Sequence, residues 1–136
     1  MKPEDKKLLI QDIMARLPYD TKFDLNGIRG SIHQVNIYTV YNTSGDTDYI
    51  CSVDFFGDGN PIDIEHFKPC LFPMSSMTEE QKVIYGDLCY AVIHSLAWDM
   101  QAALNELVDW FNKNHFDYRG LIEKGLAIDA TDLNIY

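Results

Sequence analysis

The sequence predicts one α+β domain over residues 1–136, with an N-terminal helix, an antiparallel sheet of three to five strands, and a helical C-terminal half packed on that sheet. Two observations carry this expectation. Apolar residues in the first twenty positions recur every three or four, and the recurrence then switches to every second position from residue 21 to 67. After two prolines, at 69 and 73, it returns to the helical period.

The opening segment, residues 1–20, has helix signals at both ends. Pro3 suits a first helical position, and Glu4 and Asp5 favour the positive end of the helix dipole. Leu9, Ile10, Ile13, Met14 and Leu17 form an apolar stripe expected to lie on the sheet, and Pro18 ends the helix.

Residues 21–67 read as strands. "TKFDL" leads into the turn "NGIRG"; Val35, Ile37, Thr39 and Tyr41 alternate in the next run; after "TSGD", Tyr49, Cys51, Val53 and Phe55 alternate in another. Turns containing Gly between alternating runs are the signature of antiparallel hairpins. A short strand, "PIDIEHF", follows "GDGN". The opposite faces mix Tyr38, Val40, Ile50 and Phe56 with Asn36, Ser52 and Asp54, more apolar than a fully wet face, so a helix or another subunit is expected to cover them in part.

Residues 68–77 read as a proline-containing connector, because Pro69 and Pro73 bias "KPCLFPM" away from both helix and central strand. Its spacing is PxxxP and not the PxxP of proline-rich ligands, so the connector reads as an apolar strap over the sheet, with Phe72 and Met74 buried. Residues 78–136 form the helical half and tail. Ser76 with Glu79, or Thr78 with Gln81, matches a capping box at the helix start. Val83, Ile84, Leu88, Val92 and Leu96 make one stripe, and Leu104, Leu107, Val108 and Phe111 another. Gly86 and "SLAWDMQ" favour two helices with a break near residues 95–101 over one long helix, and Asn114 is read as the end of the second. "RGLIEKGLAI" offers a turn closed by Gly125, after which the tail pairs at the sheet edge or frays.

Composition narrows the function classes. The chain is 46% hydrophobic, with eight Tyr, seven Phe and two Trp, which a disordered chain would lack. It holds no run of about eighteen apolar residues and no signal-like h-region in its first residues, so a soluble cytoplasmic protein without membrane contact is expected. The net charge of −10 opposes direct binding of nucleic-acid phosphates. Six bases and five acids stand up to Arg29, so residues 30–136 hold the whole excess, a net −11. These acids stand singly among apolar residues, as on a solvated surface, rather than in the contiguous rows that mimicry of nucleic acid needs. Cys51, Cys70 and Cys89 are far apart, without zinc spacing, and each lies in an apolar setting that suits a reduced core thiol.

"KPCLFPMSSMTEEQ" and "DWFNKNHFDYRGLIEKGLAI", together with the "DKKLLIQD" helix, resemble an uncharacterised family of small proteins from gut bacteria and their phages or other mobile elements. The resemblance covers both ends and the centre of the chain. It implies a mobile-element origin and no assigned activity. Cys70 and Phe72 stand where the family connector has Tyr and Arg, so any role of that arginine is absent here.

The densest chemical cluster is "HFDYRG", where His115, Asp117 and Arg119 could supply a base, its orienter and an anion clamp on a loop after a helix. The structural alternative has Asp117 and Arg119 pairing with each other or capping helices, with Phe116 and Tyr118 as buried anchors; no nucleophile or second His is near in sequence. His33, His66, His94 and His115 have no ligand spacing, "DFFGDGNPID" lacks the core and distal Glu of an EF-hand, and no phosphate-binding glycine loop is present, so no cofactor and no metal are expected. Two functions remain. One is a small interaction or regulatory module that binds another protein, or itself, through the sheet face or the "HFDYRG" loop. The other is a small hydrolase or transferase using His115, Asp117 and Arg119.

Overall fold

A computed structural model describes residues 1–32, 34–41, 43–45, 47–96 and 98–136, with the backbone alone for 38–41 and 47–50. The expected architecture is present: an N-terminal helix, sheets dominated by antiparallel pairs, and two helices in the C-terminal half. His33 and the side chains of Tyr38, Thr39, Val40, Tyr41, Tyr49 and Ile50 lie outside the description.

Helix α1 spans Pro3–Arg16, with Pro3 and the acids Glu4 and Asp5 in its first turn. A short 3-10 turn, Leu17–Tyr19, carries the chain away from it at Pro18. The buried face of α1 differs from the expected stripe. Leu9 and Ile13 are fully buried, but so are Asp12 and Arg16, while Met14 and Leu17 are exposed. The face is rotated because Asp12 and Arg16 have partners inside the fold, which an apolar pattern does not reveal.

The strands are β1 (Lys22–Leu25), β2 (Ile28–Ser31), β3 (Gln34–Tyr41), β4 (Thr47–Asp54), β5 (Ile62–Asp63), β6 (Phe67–Leu71) and β7 (Ile128–Asp129). They form two sheets where the sequence suggested one: β2-β1-β6-β7 and β3-β4-β5. Cys51, Val53 and Phe55 point inward together, as the alternation required, and join Leu9, Ile13, Phe23, Leu25, Ile64 and Phe67 in the main core. Strands from both sheets thus close over α1.

The connector reading needs correction, since residues 67–71 form β6, a central strand between β1 and β7. The pairing direction makes Pro69 tolerable there. The Leu71 carbonyl accepts from the Ala130 N–H of the chain leaving β7, at 2.8 Å, so the odd-numbered residues of β6 turn their backbone groups toward β7. The nitrogen of Pro69 faces that side, and pairing with β7 begins only at Cys70. No ladder bond is required of it.

Helices α2 (Glu79–His94) and α3 (Met100–Lys113) form a hairpin, with the break where it was expected. Thr78 is the cap: its hydroxyl accepts from the Gln81 N–H at 3.2 Å, and the Gln81 side chain accepts from the Thr78 N–H at 2.9 Å. Ser76 instead donates to the Pro73 carbonyl. Met77, Phe111 and Phe116 make an aromatic core under the base of the hairpin, with half-buried Phe72, Met74, Tyr85, Leu107, Trp110 and Tyr118 against it.

Candidate functional site

The "HFDYRG" segment begins where α3 ends. Asn114 caps the helix, and His115 takes a left-handed conformation, φ 61°, that turns the chain back toward the sheet. The next residues run beside the end of β6. The Phe72 N–H donates to the His115 carbonyl at 2.8 Å, and the Asp117 N–H donates to the Phe72 carbonyl at 2.9 Å. Two of the three sequence segments that carry the resemblance are therefore neighbours in space.

The structure separates the three candidate residues. Asp117 is buried, and its two oxygens accept the N–H groups of Leu121 (2.8 Å) and Ile122 (2.9 Å). It caps the turn that Gly125 closes, where the Gly125 N–H meets the Ile122 carbonyl and the Leu126 N–H meets the Leu121 carbonyl. A carboxylate so engaged orients a backbone turn and not an imidazole.

Arg119 points to α1. Its Nη1 donates to Asp12 Oδ1 at 3.0 Å, and Asp12 Oδ2 accepts from Arg16 Nε at 2.8 Å. Arg16 Nη2 in turn donates to the Phe116 carbonyl at 2.7 Å. Tyr118 lies under both guanidinium groups, 4.6 Å from Arg119 and 5.3 Å from Arg16 to the ring centre. The network ties the loop after α3 to the last two turns of α1. Asp12 is the residue that sequence reasoning missed. Its only signal was a four-residue offset from Arg16, a spacing common on exposed helix faces.

His115 alone lines a cavity of about 430 Å³, with Phe72, Thr78, Gln81, Lys113 and Tyr136 among the other lining residues. Its ring stacks on Tyr136, with centres 3.8 Å apart, and Nδ1 shares a hydrogen bond with Thr21 Oγ1 at 3.1 Å. Burial, helped by the charge of Arg16, lowers the His115 pKa to about 4, so the imidazole is neutral at pH 7. The Tyr136 hydroxyl accepts from the Lys22 N–H and donates to the Cys70 carbonyl, both at 2.8 Å. The register that sets Phe23 opposite Pro69 would set Lys22 opposite Cys70, so the phenol stands in for a ladder bond at the end of the β1–β6 pair. Burial raises its pKa above the ordinary tyrosine value.

The remaining reactive groups are dispersed. Cys51 and Cys70 are buried and their thiols are pushed up to about 11 by burial, while Cys89 is half-buried. Among the described residues no group of three or more His, Cys, Asp or Glu is placed to hold a metal ion, and no helix is long and apolar enough to cross a membrane. In the "GDGN" loop the Asp54 carboxylate accepts the N–H groups of Gly57 and Gly59, closing the turn on itself.

A second feature is the surface of the helical hairpin. Helix α2 has no buried residue, although it packs on α3, and Val83, Tyr90 and Ile93 on it are exposed. Leu96 and Trp98 are exposed at the hairpin tip. Compared with protein-family models, curated proteins and solved structures, the chain matches none.

Proposed function

We propose that this chain is a small non-enzymatic interaction module that binds a protein through the α2–α3 hairpin, and that it serves as an accessory protein of a mobile element. The observation that carries this reading is the apolar exterior of α2, a 16-residue helix with no buried side chain. A monomer that leaves so many large apolar groups in water loses solubility without gaining a core, whereas a docking surface uses them. The mobile-element context rests on the resemblance of the connector and of the segment after α3.

The contact surface moves away from the "HFDYRG" loop because the polar groups of Asp117 and Arg119 are consumed inside the fold. A hydrolase or transferase reading retains one supporting feature, the neutral His115 at the cavity. The two partners assigned to it are engaged elsewhere, Asp117 on the backbone N–H groups of Leu121 and Ile122 and Arg119 on Asp12.

The test compares the full-length chain with an Ile93→Asp/Trp98→Ala variant. Both side chains are exposed, so melting should change little. Each protein is immobilised, exposed to lysate of the host, and its bound proteins are quantified by mass spectrometry. Proteins retained by the wild type, including free copies of the chain itself, should be lost from the variant. Equal retention by both, or specific retention by neither, overturns the proposal.

A further inference from the structure

Helix α2 is apolar on two faces. Tyr85, Leu88 and Val92 on the inner face are half-buried in the hairpin. On the outer face stand Val83 (65% exposed), Gly86, Tyr90 (64%) and Ile93 (75%). Their spacing of three, four and three is that of a seam between two helices. Among the described residues nothing lies within 4 Å of a Cβ added at Gly86, so no described neighbour demands glycine at the middle of this helix, where it is the poorest helix former after proline.

We infer that α2 pairs antiparallel with the α2 of a second copy, across a two-fold axis on its outer face, level with residue 88. This rests on the hairpin being an interaction surface and goes further by naming its partner. Positions 83, 86, 90 and 93 lie symmetrically about residue 88, so the pairing is self-complementary. Val83 meets Ile93 of the partner subunit, and Tyr90 enters the notch at the partner's Gly86. The missing side chain at 86 and the large one at 90 explain each other.

The seam side chains Val83, Tyr90 and Ile93 expose roughly 400 Å², and Ile84, Leu96 and Trp98 beside the seam and at the tip bring the apolar patch to roughly 800 Å², taking full side chains as about 150–250 Å². A standard interface needs about 800 Å² from each partner, and the largest apolar patch of a typical monomer covers about 300–600 Å². Charge works against the pair, since each copy carries −10 and Glu79, Glu80 and Asp87 flank the seam with Lys82. Salt should therefore tighten self-association, whereas it would weaken binding to a basic partner.

Sedimentation equilibrium of the full chain decides the matter. The expected mass at high concentration is twice 15.7 kDa, with a dissociation constant that falls as salt is raised. Ile93→Asp should weaken the dimer about tenfold or more. Gly86→Leu is the sharper variant. General stickiness of the patch predicts tighter association from an added leucine, while the notch predicts weakening by about tenfold or more with helix content and melting temperature maintained or raised. A wild type that stays monomeric at every concentration, a dimer indifferent to Ile93→Asp, or a dimer tightened by Gly86→Leu overturns the pairing. A monomeric wild type that still loses a foreign partner through Ile93→Asp/Trp98→Ala overturns the pairing alone and leaves the hairpin as a docking surface.

Discussion

Replacing Arg119 with alanine removes one of the two guanidinium groups that hold Asp12, a carboxylate with no exposed surface. The lost bond, 3.0 Å from Nη1 to Oδ1, joins two charged groups, and such bonds contribute about 1.5–3 kcal/mol. Removing the guanidinium stacked on Tyr118 takes away about 0.5–1 kcal/mol more. Arg119 is 23% exposed and Asp12 keeps its bond to Arg16, so the lower ends apply and the total is about 2 kcal/mol. For a domain of this length that corresponds to a fall in melting temperature of about 6–10 °C, measured by circular dichroism. Asp12→Ala should cost more, about 3–5 kcal/mol, because it leaves the fully buried Arg16 charge with the Phe116 carbonyl and the face of Tyr118 but no counter-charge. Arg119→Lys should recover part of the loss at most, since an ammonium lacks the planar fork that reaches Asp12 while stacking on Tyr118. An Arg119→Ala protein that melts within about 2 °C of the wild type would refute the reasoning. Loss of binding at unchanged melting would return Arg119 to the list of functional residues.

Two further outcomes follow from the groups around the cavity. His115 is half-buried with its pKa lowered to about 4, so between pH 6.5 and 4 the unfolded chain binds a proton that the folded chain refuses. Stability is whole above pH 6.5 and falls as pH drops toward 4, by at most about 3 kcal/mol. Urea melts at pH 7.5 and 4.5 should show a smaller drop for His115→Asn, whose side chain tolerates the left-handed backbone; an equal drop in both proteins would place the titration elsewhere. Tyr136→Phe leaves the Lys22 N–H and the Cys70 carbonyl without the phenol that bridges them, at a cost of about 0.5–1.5 kcal/mol because water can reach this site. The raised Tyr136 pKa adds a sign: its contribution is full below pH 10 and lost above it, so wild type should lose stability in alkali faster than Tyr136→Phe. Identical alkaline melts would contradict the bridging role of the hydroxyl.

Much of the fold was legible because it depends on local rules. The period switch, the capping residues at 78 and 81, and the break after α2 are properties of neighbouring residues, and the structure follows them. What was not legible depends on contacts distant in sequence. Pro69 reads as a strand breaker, and only the later pairing of β6 with Ile128 and Asp129 shows that its nitrogen faces an uncontested position. Asp12 and Arg16 stand off the apolar stripe read in α1, and only Arg119 and the Phe116 carbonyl, more than a hundred residues and about a hundred residues away, make them a buried pair. Asp117 was legible in one of its two alternatives, as a cap, because carboxylates favour local backbone N–H groups.

Helix α2 exposes a deeper limit of pattern reading. The stripe Val83, Ile84, Leu88, Val92 and Leu96 was expected to face a core, yet only Leu88 and Val92 are half-buried and the others are exposed. A helical period states that a face avoids water and not what covers it, since a core and an interface require the same side chains. The glycine separates the two readings. A core position that needs glycine shows a neighbour crowding the absent Cβ, as Gly30 does with the Phe55 ring 3.3 Å from where a Cβ would lie. Gly86 shows no such neighbour among the described residues, so a group that requires glycine there would lie outside the chain, and the response of self-association to Gly86→Leu asks that question directly.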